Sequence, residues 1–265
     1  MGSLPPFTFA GIRFVIAFGL LLVLALVRKT GFPRDRKSWQ VMVLLGLTQI
    51  ALSFALAFWG EQYLTAGLTA LLFATLPFFV VVFAHFMIPG ERMTTWKLLG
   101  MLMSFMGVVI IFSGELMFTI DAFWGGIAVV ASAGSAAYAN VIGKKYSQSI
   151  DLTANVVVQS GVGALVLIAA GFVLEHGAPL SLGPMSVFAL LYLAVVGSAF
   201  GFLSLYWLFT RMDVTKVSLF TFITPVVAVF LGWLLLGERV DLNVVLGGSL
   251  ILIGVVLVNR TSKTN

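Results

Sequence analysis

The chain has 265 residues, of which 60% are hydrophobic and 9% charged, with a formal net charge of +5 and a mean hydropathy of +1.11. A soluble domain carries roughly a quarter charged residues, so soluble enzymes and soluble binding modules are excluded. Apolar runs of about 20 residues recur instead, the length a helix needs to cross a hydrocarbon core about 30 Å thick. Segments such as VMVLLGLTQIALSFALAFW are about twice the length of a barrel strand and lack its alternation. The expected fold class is therefore an all-α polytopic membrane protein. The absence of cysteine removes disulfides and thiolate metal sites, and His85 and His176 have no metal-ligand spacing. No cofactor, metal site or catalytic group is expected. A positive charge in such a chain reflects basic cytoplasmic loops rather than a nucleic-acid partner.

Nine spans follow in chain order. The first, 5–27, has neither a basic leader nor a cleavage signal, so it reads as a retained span. It holds Arg13, the most deeply placed charge in the sequence. The second, 39–60, carries Gln49 and Trp59, with Gln62 just beyond it. GEQYLTAG separates it from the third, 66–88, which contains Thr75, an interior Pro77 and, near its end, His85. IPGER then turns the chain through Glu91 and Arg92 into the fourth, 97–114. Tyr138 and Asn140 lie in the fifth, 122–142, and Gln159 and Ser160 in the sixth, 153–174. The seventh, 186–209, contributes Ser198, Tyr206 and Trp207. The eighth, 216–236, has Thr221, Thr224 and Pro225, and the turn LLGERVD, with Glu238 and Arg239, leads into the ninth, 241–259.

Starting the chain outside puts thirteen of the 15 Lys and Arg on the cytoplasmic side, with Arg13 and Arg239 as the exceptions. The positive-inside rule asks for such a bias in short loops, and adding or losing one internal span would scramble it. The C-terminus is expected to be cytoplasmic.

Gly90, Glu91, Arg92, Gly100 and Gly107 recur as Gly237, Glu238, Arg239, Gly247 and Gly254 at a constant offset. Upstream the likeness continues with a small slip, Pro77 answering to Pro225. Internal duplication is the economical account. With this span count the first Gly-Glu-Arg turn faces the cytoplasm and the second faces outside. Inverted repeats of this kind are typical of secondary transporters. The repeats are expected to be 1–117, with four spans, and 118–265, with five.

The residues that carry these patterns also carry a resemblance. PPFTFAGIRFVIAF, LTALLFATLPFFVVVFAHFMIPGERMTTWKLLGMLMSFMGVVIIF and VSLFTFITPVVAVFLGWLLLGERVDLNVVLGGSLILIGVVLVN together cover most of the chain. They resemble the drug/metabolite transporter superfamily, in particular its EamA-type members, and more loosely the YddG-like exporters of amino acids and other metabolites. That resemblance implies ten spans in two inverted five-helix repeats, with both termini cytoplasmic. Arg13-Phe14 corresponds to the family's second span, so the first is missing from this sequence and would precede Leu4.

Burying an amide or hydroxyl against lipid is costly unless it is paired. The polar and aromatic residues named above, from Trp59 to Pro225, are thus expected to face the bundle interior. There they are candidates to line a solute site, although interhelical hydrogen bonds can satisfy many of them without a ligand. Pro77 and Pro225 each remove a helix hydrogen bond and point to a site at the repeat interface. Glu91-Arg92 and Glu238-Arg239 read either as anchors of tight hairpins or as gates. The glycine pairs Gly100/Gly107 and Gly247/Gly254 read as helix-packing stripes.

The expected function is a secondary transporter in the cell (inner) membrane that works by alternating access. Export or exchange of small metabolites such as amino acids is what the resemblance implies. The partners are then a small-molecule solute and membrane lipid. Two other readings stand beside it: a non-transporting assembly or sensor protein with the same fold, and a membrane-embedded lipid-modifying enzyme, which would need clustered His, Asp, Glu or Ser.

Overall fold

The computed structural model describes residues 5–91, 93–111, 120–176, 183–224, 227 and 242–261. Among these the regular structure is helical and no strand forms. The elements are α1 (Pro6–Val27), α2 (Arg36–Glu61), α3 (Ala66–Phe73), α4 (Leu76–Met87), α5 (Thr95–Ile111), α6 (Ile120–Tyr146), α7 (Leu152–Leu174), α8 (Pro184–Phe209), α9 (Val214–Thr224) and α10 (Leu242–Thr261). Six segments are long and apolar enough to cross a membrane: α1, α2, Gly67–Met87, α6, α7 and α8. Shorter apolar helices, Thr95–Ile111, Val214–Thr224 and Val245–Val258, occupy the other three predicted positions. The protein is an all-α polytopic membrane protein, in which each span satisfies its own backbone as lipid requires.

The few charged side chains sit largely at helix ends, where they complete the backbone bonding that a helix leaves open. Asp35 caps α2 by accepting from the Ser38 amide at 2.8 Å, and that amide holds the exposed Asp35 carboxyl below its usual range. Asp151 caps α7 through the amides of Thr153 and Ala154. Two caps come from far along the chain. Glu175 accepts from the Phe7 and Thr8 amides, each at 2.8 Å, and from Thr8 Oγ1. Lys144 Nζ donates to the Phe209 carbonyl at 2.6 Å, at the end of α8.

Two local departures from α-helix matter for the site. Around Pro77 the third span breaks at Ala74–Thr75, and Pro77 falls in the first turn of α4, where its missing amide is tolerated. The α2 and α8 helices each contain a π-helical stretch, Gly46–Leu52 and Leu193–Phe200. Wide turns of this kind are frequent at functional sites.

The chain divides into two compact units, Met1–Phe58 with Tyr138–Arg211, and Trp59–Ala137 with Met212–Asn265. In the first, α1 and α7 pack antiparallel, with Thr8, Gly11 and Phe18 meeting Gly171, Ile168 and Gly161. The π-helical stretch of α8 packs on α1 and that of α2 packs on α7. Phe14, Leu21, Met42, Leu45, Ile50, Leu167 and Phe209 form the buried interior of this unit. In the second unit α5 and α10 cross antiparallel: Gly100 faces Gly254, Gly107 faces Gly247, and between them Ser104 Oγ donates to the Ile251 carbonyl at 3.1 Å. A Cβ added at Gly100 would lie 2.7 Å from the Gly254 carbonyl oxygen, so backbone contact demands glycine here. Leu71, Met101, Val108, Leu219, Phe222 and Ile251 close the core around that crossing.

Candidate functional site

Among the described residues, the first unit holds a set of buried polar side chains on α2, α6, α7 and α8. On α1, Arg13 is turned into the protein. Its Nε donates to Ser198 Oγ at 2.8 Å, and its guanidinium carbon lies 5.4 Å from the ring centroids of both Phe14 and Phe54. Ser198 is fully buried, near the middle of the 26-residue span Pro184–Phe209. Tyr206 lies two helical turns along α8, also buried, and donates to Gln159 Oε1 on α7 at 3.0 Å. Asn155 lies one turn from Gln159 and lines the same small cleft as Tyr206. Gln49, on the π-helical stretch of α2, is buried as well, as is Asn140 on α6.

Several of these groups are incompletely bonded. Gln49 Oε1, Asn140 Oδ1, Asn155 Oδ1, Gln159 Nε2 and Ser160 Oγ are buried with no hydrogen-bond partner. An orphaned polar atom costs about 1–3 kcal/mol, a cost that a polar solute or water reaching the atom would offset.

The second unit places the remaining candidates differently. Thr75 Oγ1 donates to the Leu72 carbonyl at 2.7 Å, within the break before buried Pro77. Thr224 Oγ1 makes the same kind of local bond to the Phe220 carbonyl, and Thr221 is half-buried. Trp59 is 40% exposed and packs its ring against Tyr63, with Gln62 exposed beside it. A cavity of about 840 Å³ lies between α3, α4 and α6, lined by apolar residues including Leu72, Phe79, Phe83, Val130 and Gly134. Among the described residues that line it, none carries a side chain that could orient a polar solute. In the first unit, Tyr138 is half-buried, and Trp207 is exposed beneath the Arg211 guanidinium, 4.2 Å from its ring centroid.

Glu91 is buried and accepts from the Val214 amide at 2.7 Å and from Thr215 Oγ1 at 2.9 Å. It therefore caps the start of α9, while Gly90, at a φ of 90°, makes the turn that a side chain would strain. Arg92, Pro225, Glu238 and Arg239 lie outside the described residues.

The structure thus brings Ser198 together with Arg13 and Tyr206 together with Gln159 and Asn155. Within the same unit, Trp207 stacks on Arg211 instead, and Trp59, Thr75 and Thr224 belong to the other unit. Asn155 escaped the sequence reading, although its spacing of four from Gln159 puts both on one helix face. Among the described residues, every carboxylate lies at or beyond a helix end, and no group of three or more metal-ligating side chains forms.

The comparisons agree with this architecture. The EamA-like transporter family matches residues 1–113 and 123–260. The uncharacterized transporter YoaV of Bacillus subtilis is 31% identical, over 96% of this chain and 87% of that protein. The uncharacterized inner membrane transporter YedA of Escherichia coli K12 is 28% identical, over 97% and 82%. A crystal structure of a protein 20% identical in sequence superposes with a TM-score of 0.84, covering 98% of this chain and 90% of that one, which is a likeness of fold. The chain belongs to the EamA-like transporter family and is a multi-pass membrane transporter.

Proposed function

We propose that the protein is a secondary transporter of the cell (inner) membrane that exports or exchanges small metabolites, amino acids among them, by alternating access. Its C-terminus is cytoplasmic, and its two sequence repeats, 1–117 and 118–265, have opposite orientations in the membrane. One recurring separation carries this reading. The offset between the two Gly-Glu-Arg turns is also the offset between the starts of the two π-helical stretches, at Gly46 and Leu193. It recurs a third time between Ser104 and Ile251, which are 147 residues apart and hydrogen-bonded where α5 and α10 cross antiparallel. Equivalent helices that run in opposite directions support inversion, and inversion is the usual basis of alternating access. Among the described residues the carboxylates lie at helix ends, which supports exchange or facilitated diffusion, since an ion relay ordinarily uses an acid within the membrane.

The test is flux in liposomes. Protein reconstituted with a panel of radiolabelled amino acids inside should release at least one down its gradient and accelerate when unlabelled solute is added outside. Release no faster than from protein-free liposomes across the panel would overturn the amino-acid reading.

A further inference from the structure

We infer that Arg13 and Ser198 form an anion subsite that anchors a carboxylate of the transported solute; the inference rests on the transport reading for what the subsite serves. Among the described residues Arg13 is the charged side chain farthest from a helix end, and an ionised group at membrane depth needs a partner or a function. An arginine this close to the start of its helix can snorkel to the interface. This one does not, because its Nε is tied to Ser198 at 2.8 Å, near the middle of its own span.

The Ser198 bond uses one edge of the guanidinium. Among the described residues no carboxylate pairs with Arg13, and its Nη groups make no hydrogen bond. The Phe14 and Phe54 rings support it by cation–π contact but leave those planar donors open. A fork of donors held in this way matches a carboxylate. Space is provided by Gly197, where an added Cβ would come 3.1 Å from Nη2.

Packing alone does not call for this arrangement. At the 147-residue offset the counterpart of Arg13 is Ser160, that of Gly197 is Ile50 and that of Ser198 is Ala51. In that half of the pattern Ile50 packs directly on Gly163 of α7. The same helix crossing is therefore built without a charge and without room for one. A departure from repeat symmetry at a half-buried cation points to recognition, not to architecture.

The experiment compares solutes that differ in the carboxylate. Phenylalanine, phenyllactate and phenethylamine, with alanine, lactate and ethylamine as a smaller set, are tested for thermal stabilisation of the purified protein and for flux in liposomes. The acids should stabilise the wild-type chain and the amines should not. Arg13→Gln should weaken the acids by at least about tenfold. Arg13→Lys, which keeps the charge but loses the fork, should weaken them less, and Gly197→Ala should weaken them with the charge intact. These last two variants keep the inference testable if Arg13→Gln fails to fold. Amines that bind as well as acids, acid binding indifferent to all three variants, or no acid stabilisation at all would each overturn it. Stabilisation that requires anionic lipid and ignores solute would also overturn it, assigning Arg13 to a lipid phosphate. Acid binding without flux would overturn the transport reading and leave the subsite standing.

Discussion

Tyr206 shows how much depends on one hydroxyl. Its ring fills space left by Gly143, where an added Cβ would lie 2.6 Å from Cε1, and its Oη reaches Gln159. Tyr206→Phe keeps the ring and removes the donor. Gln159 Oε1 is then left unpaired beside an Nε2 that already has no partner, and the loss should be about 1–2 kcal/mol in reversible unfolding in detergent. Adding Gln159→Leu should cost less than the two single changes together, because the orphaned amide leaves with its partner. Full additivity would mean that the two side chains do not depend on each other. Residues of this kind were readable in the sequence as polar side chains inside apolar runs. Their partners were not. Arg13 and Ser198 are 185 residues apart and Tyr206 and Gln159 are 47 apart, and no local pattern reports which helix faces meet.

At the scale of elements the glycine stripes yield a matched pair of substitutions. An alanine Cβ at Gly247 would meet the Gly107 carbonyl oxygen at 2.5 Å and Ile111 Cγ1 at 2.7 Å, whereas at neighbouring Gly248 it meets nothing within 4 Å. Gly247→Ala should therefore destabilise by about 1–3 kcal/mol through overpacking. Gly248→Ala should be neutral or stabilising by up to about 1 kcal/mol, because alanine is the better helix former. Thermal unfolding of the two proteins side by side checks this, and equal effects would mean that the α5–α10 contact does not limit stability. The spans themselves were legible because each is a continuous apolar run closed by charged or Gly/Pro-rich turns. The π-helical stretches were not, since GLTQIAL and LAVVGSAF have no composition that separates a π turn from an α turn. Nor was the service of Glu91 and Glu175 as helix caps visible, because each caps a helix distant in sequence.

For the whole molecule, what matters is whether two stretches of similar sequence enter the membrane from opposite sides. The Gly-Glu-Arg pattern points to a repeat, and the count of spans and basic residues gives its two halves opposite orientations only as an expectation. Thr95 and Leu242 open α5 and α10 at equivalent positions of the two repeats, both are exposed, and the natural chain has no cysteine to give background labelling. Thr95→Cys and Leu242→Cys, treated in intact cells and in inverted vesicles with a membrane-impermeant maleimide, should react from opposite sides, with Thr95→Cys reached from the cytoplasm. Reaction of both from one side would require an even number of crossings between them, in place of the five that the span count gives. That result would remove the inversion and with it the structural basis for alternating access. Opposite faces with Thr95→Cys outside would keep the inversion and reverse the orientation inferred from the basic loops, a bias that sets orientation only on average.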